Sequence, residues 1–172
     1  TPFDAGGPVN VSRFLEGITG TGFSTDQLIN PAQNEQLTNK LGNYELVAFT
    51  KNDLSEELEN SGTNGFPDIE NRFLEIFTGI GRYAKQAKLE PVQICCLPTR
   101  DGENRYLIFD EYKVDDKSFD LNGIKAGLLL IIEVQKLEFE FAGDMGGEEL
   151  LLALKEKGFY PYSDLDRDAA YT

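Results

Sequence analysis

The chain has 172 residues, of which 30 are acidic and 16 basic, giving a formal net charge of −14, and it contains no histidine. Such a field repels nucleic-acid backbones and favours basic partners. The missing histidine removes the commonest general base, the commonest zinc ligand and every Ser-His-Asp or Cys-His arrangement, so an enzyme here would work with carboxylates, Lys, Tyr or Cys.

Residues 1–7 are small and polar and read as a loose lead-in. Val9, Val11 and Phe14 predict a short early strand, and 21–25 a second one. The stretch 30–42 is rich in Asn, Gln and Thr and reads as a connection. Tyr44-Glu-Leu-Val-Ala-Phe-Thr50 is β-rich and partly alternating, which predicts a strand. A short helical turn over 52–59 and an exposed loop at Ser61-Gly-Thr-Asn-Gly65 follow. Pro67-Asp-Ile-Glu70 opens a helix: proline sits where a missing N–H costs least, and the acids suit the positive end of the dipole. Phe73, Phe77, Ile80 and Ala84 recur at helical spacing, with Leu74 and Ile76 widening the stripe. Gly79 and Gly81 weaken that helix by about 1 kcal/mol each relative to alanine. Their presence points to close packing against a strand or loop.

Residues 92–97 and 106–112 read as two strands joined at Arg100-Asp-Gly-Glu-Asn104, where Asp-Gly is a hairpin signal. The stretch 113–122 is polar and acidic. Gly127-Leu-Leu-Leu-Ile-Ile132 lacks alternation, which predicts a central strand buried on both faces. Leu137-Glu-Phe-Glu-Phe141 alternates like a strand but also suits a short helix, and periodicity leaves both open. The last helix spans 148–157, with Leu151, Leu152 and Leu154 inward and Gly158 as its stop. With no internal repeat and no dividing linker, the reading is one α+β domain over 1–172. Its sheet is mixed and mostly antiparallel, with helices packed on it. The two cysteines, Cys95 and Cys96, are adjacent and point to opposite faces of a strand. There is thus no disulfide framework, which suits a reducing, cytoplasmic compartment. No window is apolar for the eighteen or so residues of a membrane span, and no signal peptide is visible within the sequence, which starts at Thr1 rather than Met and so leaves a removed leader open.

Several clusters are candidates for function. Asp110, Glu111, Asp115, Asp116 and Asp120 form an acidic strand edge and loop that could meet a basic partner, or could simply be solvated. Tyr160 and Tyr162 flank Pro161 as a recognition surface, or pack on the sheet with Arg167 pairing to a nearby carboxylate. Asp164, Asp166 and Asp168 have the spacing of the start of a calcium loop without its glycine and distal glutamate, so capping of a turn is the better reading and no metal is assigned. Cys95 and Cys96 have nothing basic beside them in sequence to activate a thiol. Gly79-Ile-Gly81 lacks the lysine of a phosphate loop.

Four segments in order carry a family resemblance that spans about 9–167. They are Gly42-Asn-Tyr-Glu-Leu46, Phe109-Asp-Glu-Tyr112, Gly127-Leu-Leu-Leu130 and Gly158-Phe-Tyr-Pro-Tyr-Ser-Asp-Leu-Asp-Arg167. Together they resemble the suppressor of fused domain family, its bacterial stand-alone members in particular. In that family a threonine caps a short helix after the apolar strand. Here the step reads Val134-Gln-Lys-Leu-Glu-Phe139, with Gln135 at the cap, a departure that weakens the cap by about 1 kcal/mol. The resemblance selects helix over strand for 137–141. It implies a non-enzymatic, cofactor-free fold used for protein binding. Animal members sequester zinc-finger transcription factors of the Hedgehog pathway, and many bacterial members resemble immunity proteins that neutralise toxins. No partner-binding residue carries over position by position. The expected function is therefore protein binding, the partner a toxin or regulatory protein with a basic surface, with neither nucleic acid nor membrane as a partner. The alternatives are a small carboxylate-based enzyme or ligand-binding domain, or an accessory domain of a longer chain.

Overall fold

The computed structural model describes residues 3–4, 8–9, 11–14, 18–26, 28–29, 38–54, 66–84, 86–114, 119–121 and 123–171. In chain order the elements are β1 (Phe3–Asp4), β2 (Pro8–Val9), β3 (Val11–Phe14), β4 (Thr21–Thr25), β5 (Asn43–Thr50), α1 (Phe66–Tyr83), β6 (Ile94–Pro98), β7 (Asn104–Tyr112), β8 (Phe119–Leu121), β9 (Ile124–Val134), α2 (Lys136–Met145) and α3 (Gly147–Glu156). The main sheet runs β3-β4-β5-β9-β7-β6, with β8 paired to the start of β9. Its neighbours are antiparallel except β5 and β9, so the sheet is mixed and mostly antiparallel, as expected. The lead-in is more structured than expected, since Phe3–Asp4 pairs with Pro8–Val9. The helical turn and loop expected beyond residue 54 lie outside the described residues.

An unbroken apolar run cannot leave one face to water, and β9 is covered on both. On one side Phe73, Ile76, Phe77, Ile80 and Ala84 of α1 and its end pack on Leu46, Ala48, Leu107, Phe109, Leu129 and Ile131. On the other, Ala142 of α2 and Leu150, Leu151 and Leu154 of α3 pack on Val47, Phe49, Ile108, Leu130, Ile132 and Val134. The inward face of α3 corrects the expectation: Leu150 replaces Leu152, which is 52% exposed. Positions 150, 151 and 154 subtend one stripe at 100° per residue, and 152 falls outside it. Gly79 does mark a close approach, because a Cβ there would lie 2.7 Å from Leu97 Cδ1 on β6.

The alternating segment 137–141 is helical. The Gln135 side-chain amide donates to the carbonyl of Arg167 at 2.5 Å. The Gln135 N–H meanwhile donates to Glu138 Oε2 at 2.9 Å, the helix-side half of a capping box. Glu138 has no exposed surface. Its two oxygens also accept Arg167 Nη1 at 2.6 Å, Arg167 Nη2 at 3.0 Å and the Ala170 N–H at 2.8 Å. The expected carboxylate partner of Arg167 is thus Glu138, and the pair holds the C-terminal segment onto α2.

That segment fills a gap in the sheet. The parallel ladder of β5 and β9 is registered from Asn43↔Ala126 to Val47↔Leu130, although both strands continue. Beyond that point Ser163 lies between them. Its N–H donates to the Phe49 carbonyl at 2.9 Å, and its Oγ accepts the Glu133 N–H at 3.0 Å. From the α1 side, Arg72 Nη2 donates to the Ser163 carbonyl at 2.7 Å. Substituting Arg167→Ala would strand the Glu138 charge in the core, and loss of one partner of a buried pair costs about 3 to 5 kcal/mol. We expect urea denaturation of the variant to show a loss in that range; a loss below about 1 kcal/mol would mean that water already screens the pair.

Candidate functional site

β6 ends the sheet, and among the described residues no strand pairs with its outer side. Its inner side is fixed by Thr99 N–H to Glu103 carbonyl (2.9 Å) and Phe109 N–H to Gln93 carbonyl (3.0 Å). With the register Cys95↔Leu107 and Leu97↔Arg105, the odd-numbered residues of β6 therefore turn their backbone groups toward β7. Ile94, Cys96 and Pro98 turn theirs outward. Pro98 agrees with this assignment, since proline enters a sheet where its missing N–H faces away from the ladder.

A cavity of about 810 Å³ runs along this open side. All five residues of β6 line it, together with Gly79, Arg82 and Tyr83 of α1 on one flank and Gly147 on the other. Its inner end is shaped by Val92, which adopts φ 75°, a left-handed conformation that is a genuine outlier for a β-branched residue. This corrects the expected strand over 92–97. The Val92 N–H still donates to the Phe109 carbonyl at 2.7 Å, while Gln93 supplies the return bond, so two residues oppose one and the strand proper starts at Ile94. The close approach of Gly147, where a Cβ would collide with the Val92 carbonyl, shows what holds this bulge from the far side. The cysteines separate as expected from strand alternation. Cys95 packs against the α1-side core and burial pushes its thiol up, whereas Cys96 is exposed on the edge.

The residues singled out in the sequence behave differently from one another. Asp110 and Tyr160 come together: the Tyr160 hydroxyl donates to Asp110 Oδ2 at 3.1 Å, and Lys155 Nζ reaches the same oxygen at 3.2 Å. Burial, reinforced by Asp110, pushes the Tyr160 hydroxyl well above the usual tyrosine range. Tyr162 packs beside Phe49 and Tyr112, with Lys51 Nζ 5.3 Å from its ring centre. Both tyrosines thus take part in docking the C-terminal segment onto the sheet. Glu111 projects from the opposite face of β7, 41% exposed and 3.9 Å from Lys113, so the two neighbouring acids do not converge. Asp115 and Asp116 lie outside the described residues, and of Asp120 only its place in β8, opposite Lys125, is described.

Asp164 is occupied as a turn cap. It accepts the Thr50 hydroxyl at 2.5 Å, the Lys51 N–H at 2.8 Å and the Asn52 side-chain amide at 3.1 Å. Asp166 and Asp168 are exposed, and among the described residues no group of three or more acidic, Cys or His side chains is placed to hold a metal. The sequence reading missed the β6 edge altogether; the one signal for it was Pro98, a proline ending an otherwise β-rich run.

No family model matches the chain, and no curated protein matches it. Solved structures do. A chain of "the Sufu-Fu complex crystal structure" superposes with a TM-score of 0.60 at 17% identity, over 92% of this chain and 75% of that one. The crystal structure of Drosophila Suppressor of Fused superposes with a TM-score of 0.56 at 16% identity, over 87% of this chain and 39% of that one. Identity this low speaks for architecture alone. The protein has the suppressor of fused fold, with the segments that carried the sequence resemblance at β5, β7, β9 and the C-terminal segment.

Proposed function

We propose that this chain is a non-enzymatic protein-interaction domain that takes an extended segment of its partner along the open side of β6. The observation that carries the reading is the row of outward backbone groups on Ile94, Cys96 and Pro98 beside a cavity about 810 Å³ in volume. An added strand satisfies such groups and places alternate side chains in flanking pockets. Each backbone hydrogen bond is worth only about 1 kcal/mol net, so affinity and selectivity fall to the side chains in the cavity. Fold likeness supports the same reading, since one matching structure is a complex of Sufu with Fu.

A finer reading makes the domain an immunity protein that neutralises a toxin with a basic surface, in a reducing compartment such as the cytoplasm where both cysteines stay free thiols. Its support is the net charge of −14 and the absence of described disulfides. In that case the exposed Glu111, with Asp115, Asp116 and Asp120, would steer encounter. The association rate should then fall steeply with salt, because steering acts beyond a Debye length of about 8 Å; a salt-independent rate would remove the steering role. The carboxylate-enzyme reading has less support. Asp110 and Glu111 lie on opposite faces, and the buried acids Glu133 and Glu138 are each bound by arginine.

Two experiments address the edge directly. Peptides selected from a displayed random library on the wild-type protein should be lost on Cys96→Pro, which removes an outward N–H and leaves the β7 ladder intact. The melting temperature of that variant should hardly move. Cys95→Pro breaks the ladder and should cost about 3 kcal/mol or more. Retained binding by a folded Cys96→Pro protein would place the peptide elsewhere. Independently, a bulky maleimide should modify Cys96 well before Cys95, whose thiol is held up by burial. The singly labelled, still folded protein should no longer capture the selected peptides, and undiminished capture would count against the edge.

A further inference from the structure

Among the large apolar side chains that stay exposed, three gather at α2: Leu137 is 57% exposed, Met145 61% and Tyr171 36%. Leu137, Phe141 and Met145 recur at every fourth residue, so they share one stripe beside the buried Glu138 and Ala142. Tyr171 widens it, its ring stacked on Phe141 with centres 4.7 Å apart and planes 3° apart. The stripe is electrically lopsided. At its start Lys136 lies 3.7 Å from Glu140. At its end stand the exposed Asp144, Glu148 and Glu149, and among the described residues no base pairs with any of them. Glu148 and Glu149 suit the positive end of α3. Asp144 has no such role: it sits in the last turn of α2, at the negative end of the dipole, with no base in that turn. A carboxylate and the last carbonyls of a helix together favour a cation that the chain itself does not bring there.

We propose that α2 docks an amphipathic helix of a partner protein, its apolar residues laid along Leu137, Phe141 and Met145 and a lysine or arginine placed against Asp144. A narrow apolar stripe on one helix is matched by the apolar ridge of another, whose anchors recur at three- and four-residue spacing. The cation fixes the direction of docking, since the unpaired acids lie only at the Met145 end. A second copy of this chain fits less well. It offers Lys136 alone, already beside Glu140, against three acids, and it brings a second net charge of −14. An anionic lipid surface would be repelled by the same acids. Gly147, two residues after Met145, lines the β6 cavity, so the stripe ends next to the β6 edge. The two surfaces take different conformations of chain, one extended and one helical, and docking on α2 does not depend on β6.

The test uses Met145, the only methionine of the sequence, as a reporter. The full chain, labelled with ¹³C at the methionine methyl, is titrated at physiological salt with a capped helical peptide. The peptide carries leucines at three- and four-residue spacing and two lysines one turn beyond them; its twin carries glutamates in place of the lysines. The lysine peptide should move the Met145 methyl and bind about ten-fold tighter than its twin. Asp144→Lys should erase that preference without lowering the melting temperature, because it removes an acid from a helix C-terminus. Glu103→Lys, the same charge change in the exposed β6–β7 turn, should leave the preference intact. An equal loss in that variant would show that net charge alone attracts the peptide, and would overturn the proposal. Cys96→Pro should leave helix binding unchanged, and loss of binding in that folded variant would place the peptide on β6 instead. Binding with the Met145 methyl unmoved, equal affinity of the twins, or no binding by the lysine peptide would each overturn the proposal. So would a Met145 methyl that shifts with protein concentration alone, since a second copy would then be the occupant.

Discussion

Glu138 is a carboxylate closed off from water at the start of α2, and the C-terminal segment of the protein is arranged around it. A charge in that position is tolerable only with full compensation. Arg167 supplies a two-pronged partner, and the N–H groups of Gln135 and Ala170 complete its acceptor set. Because the ligands come from 135 and from 167–170, satisfying one carboxylate ties the start of α2 to the end of the described chain. The segment between α3 and Arg167 is then obliged to cross the sheet, and it does so at the point where β5 and β9 part.

That crossing narrows the space beyond the parallel pair at the centre of the sheet. In open sheets the gap beyond the carboxyl ends of parallel strands is the usual place for a ligand. Here Ser163 bonds to Phe49 on one strand and Glu133 on the other, and Asp164 closes over Thr50 and Lys51. Arg72 and Arg105 bring α1 and β7 to the Glu133 carboxylate beneath it. With Ser163 and Asp164 across the strand ends, a cavity of about 290 Å³ is left there, lined by Lys51, Asn52, Tyr162 and Asp164 among others, against about 810 Å³ at the outer side of β6.

The treatment of that side is unusual for a protein under pressure to avoid edge-to-edge association. Sheets commonly blunt their edges with inward-pointing charges, bulges and proline. β6 has a bulge at Val92 before it and Pro98 at its end, which confine the available edge to the few residues between. Those residues are apolar or sulfur-bearing rather than charged. The arrangement restricts pairing to one short register while leaving the central groups accessible.

Periodicity and punctuation in the sequence carried most of the architecture. The apolar run in β9 demanded cover on both faces, the spacing of Phe73, Phe77 and Ile80 set the inner face of α1, and Asp-Gly turned β6 into β7, because each is a local consequence of side-chain pattern. The helical state of 137–141 was legible only through the family resemblance, since five alternating residues satisfy either period. What local pattern could not determine was decided by contacts distant in sequence. Arg167 announced a carboxylate partner but not that it would be Glu138, 29 residues away and fully buried. Asp110 and Glu111 read as one acidic patch, yet strand alternation sends one to Tyr160 and Lys155 and the other to solvent. The choice of β6 as an outer strand exists only once the strand order is set. Strand order is settled by the whole set of competing pairings, and no window of sequence contains it.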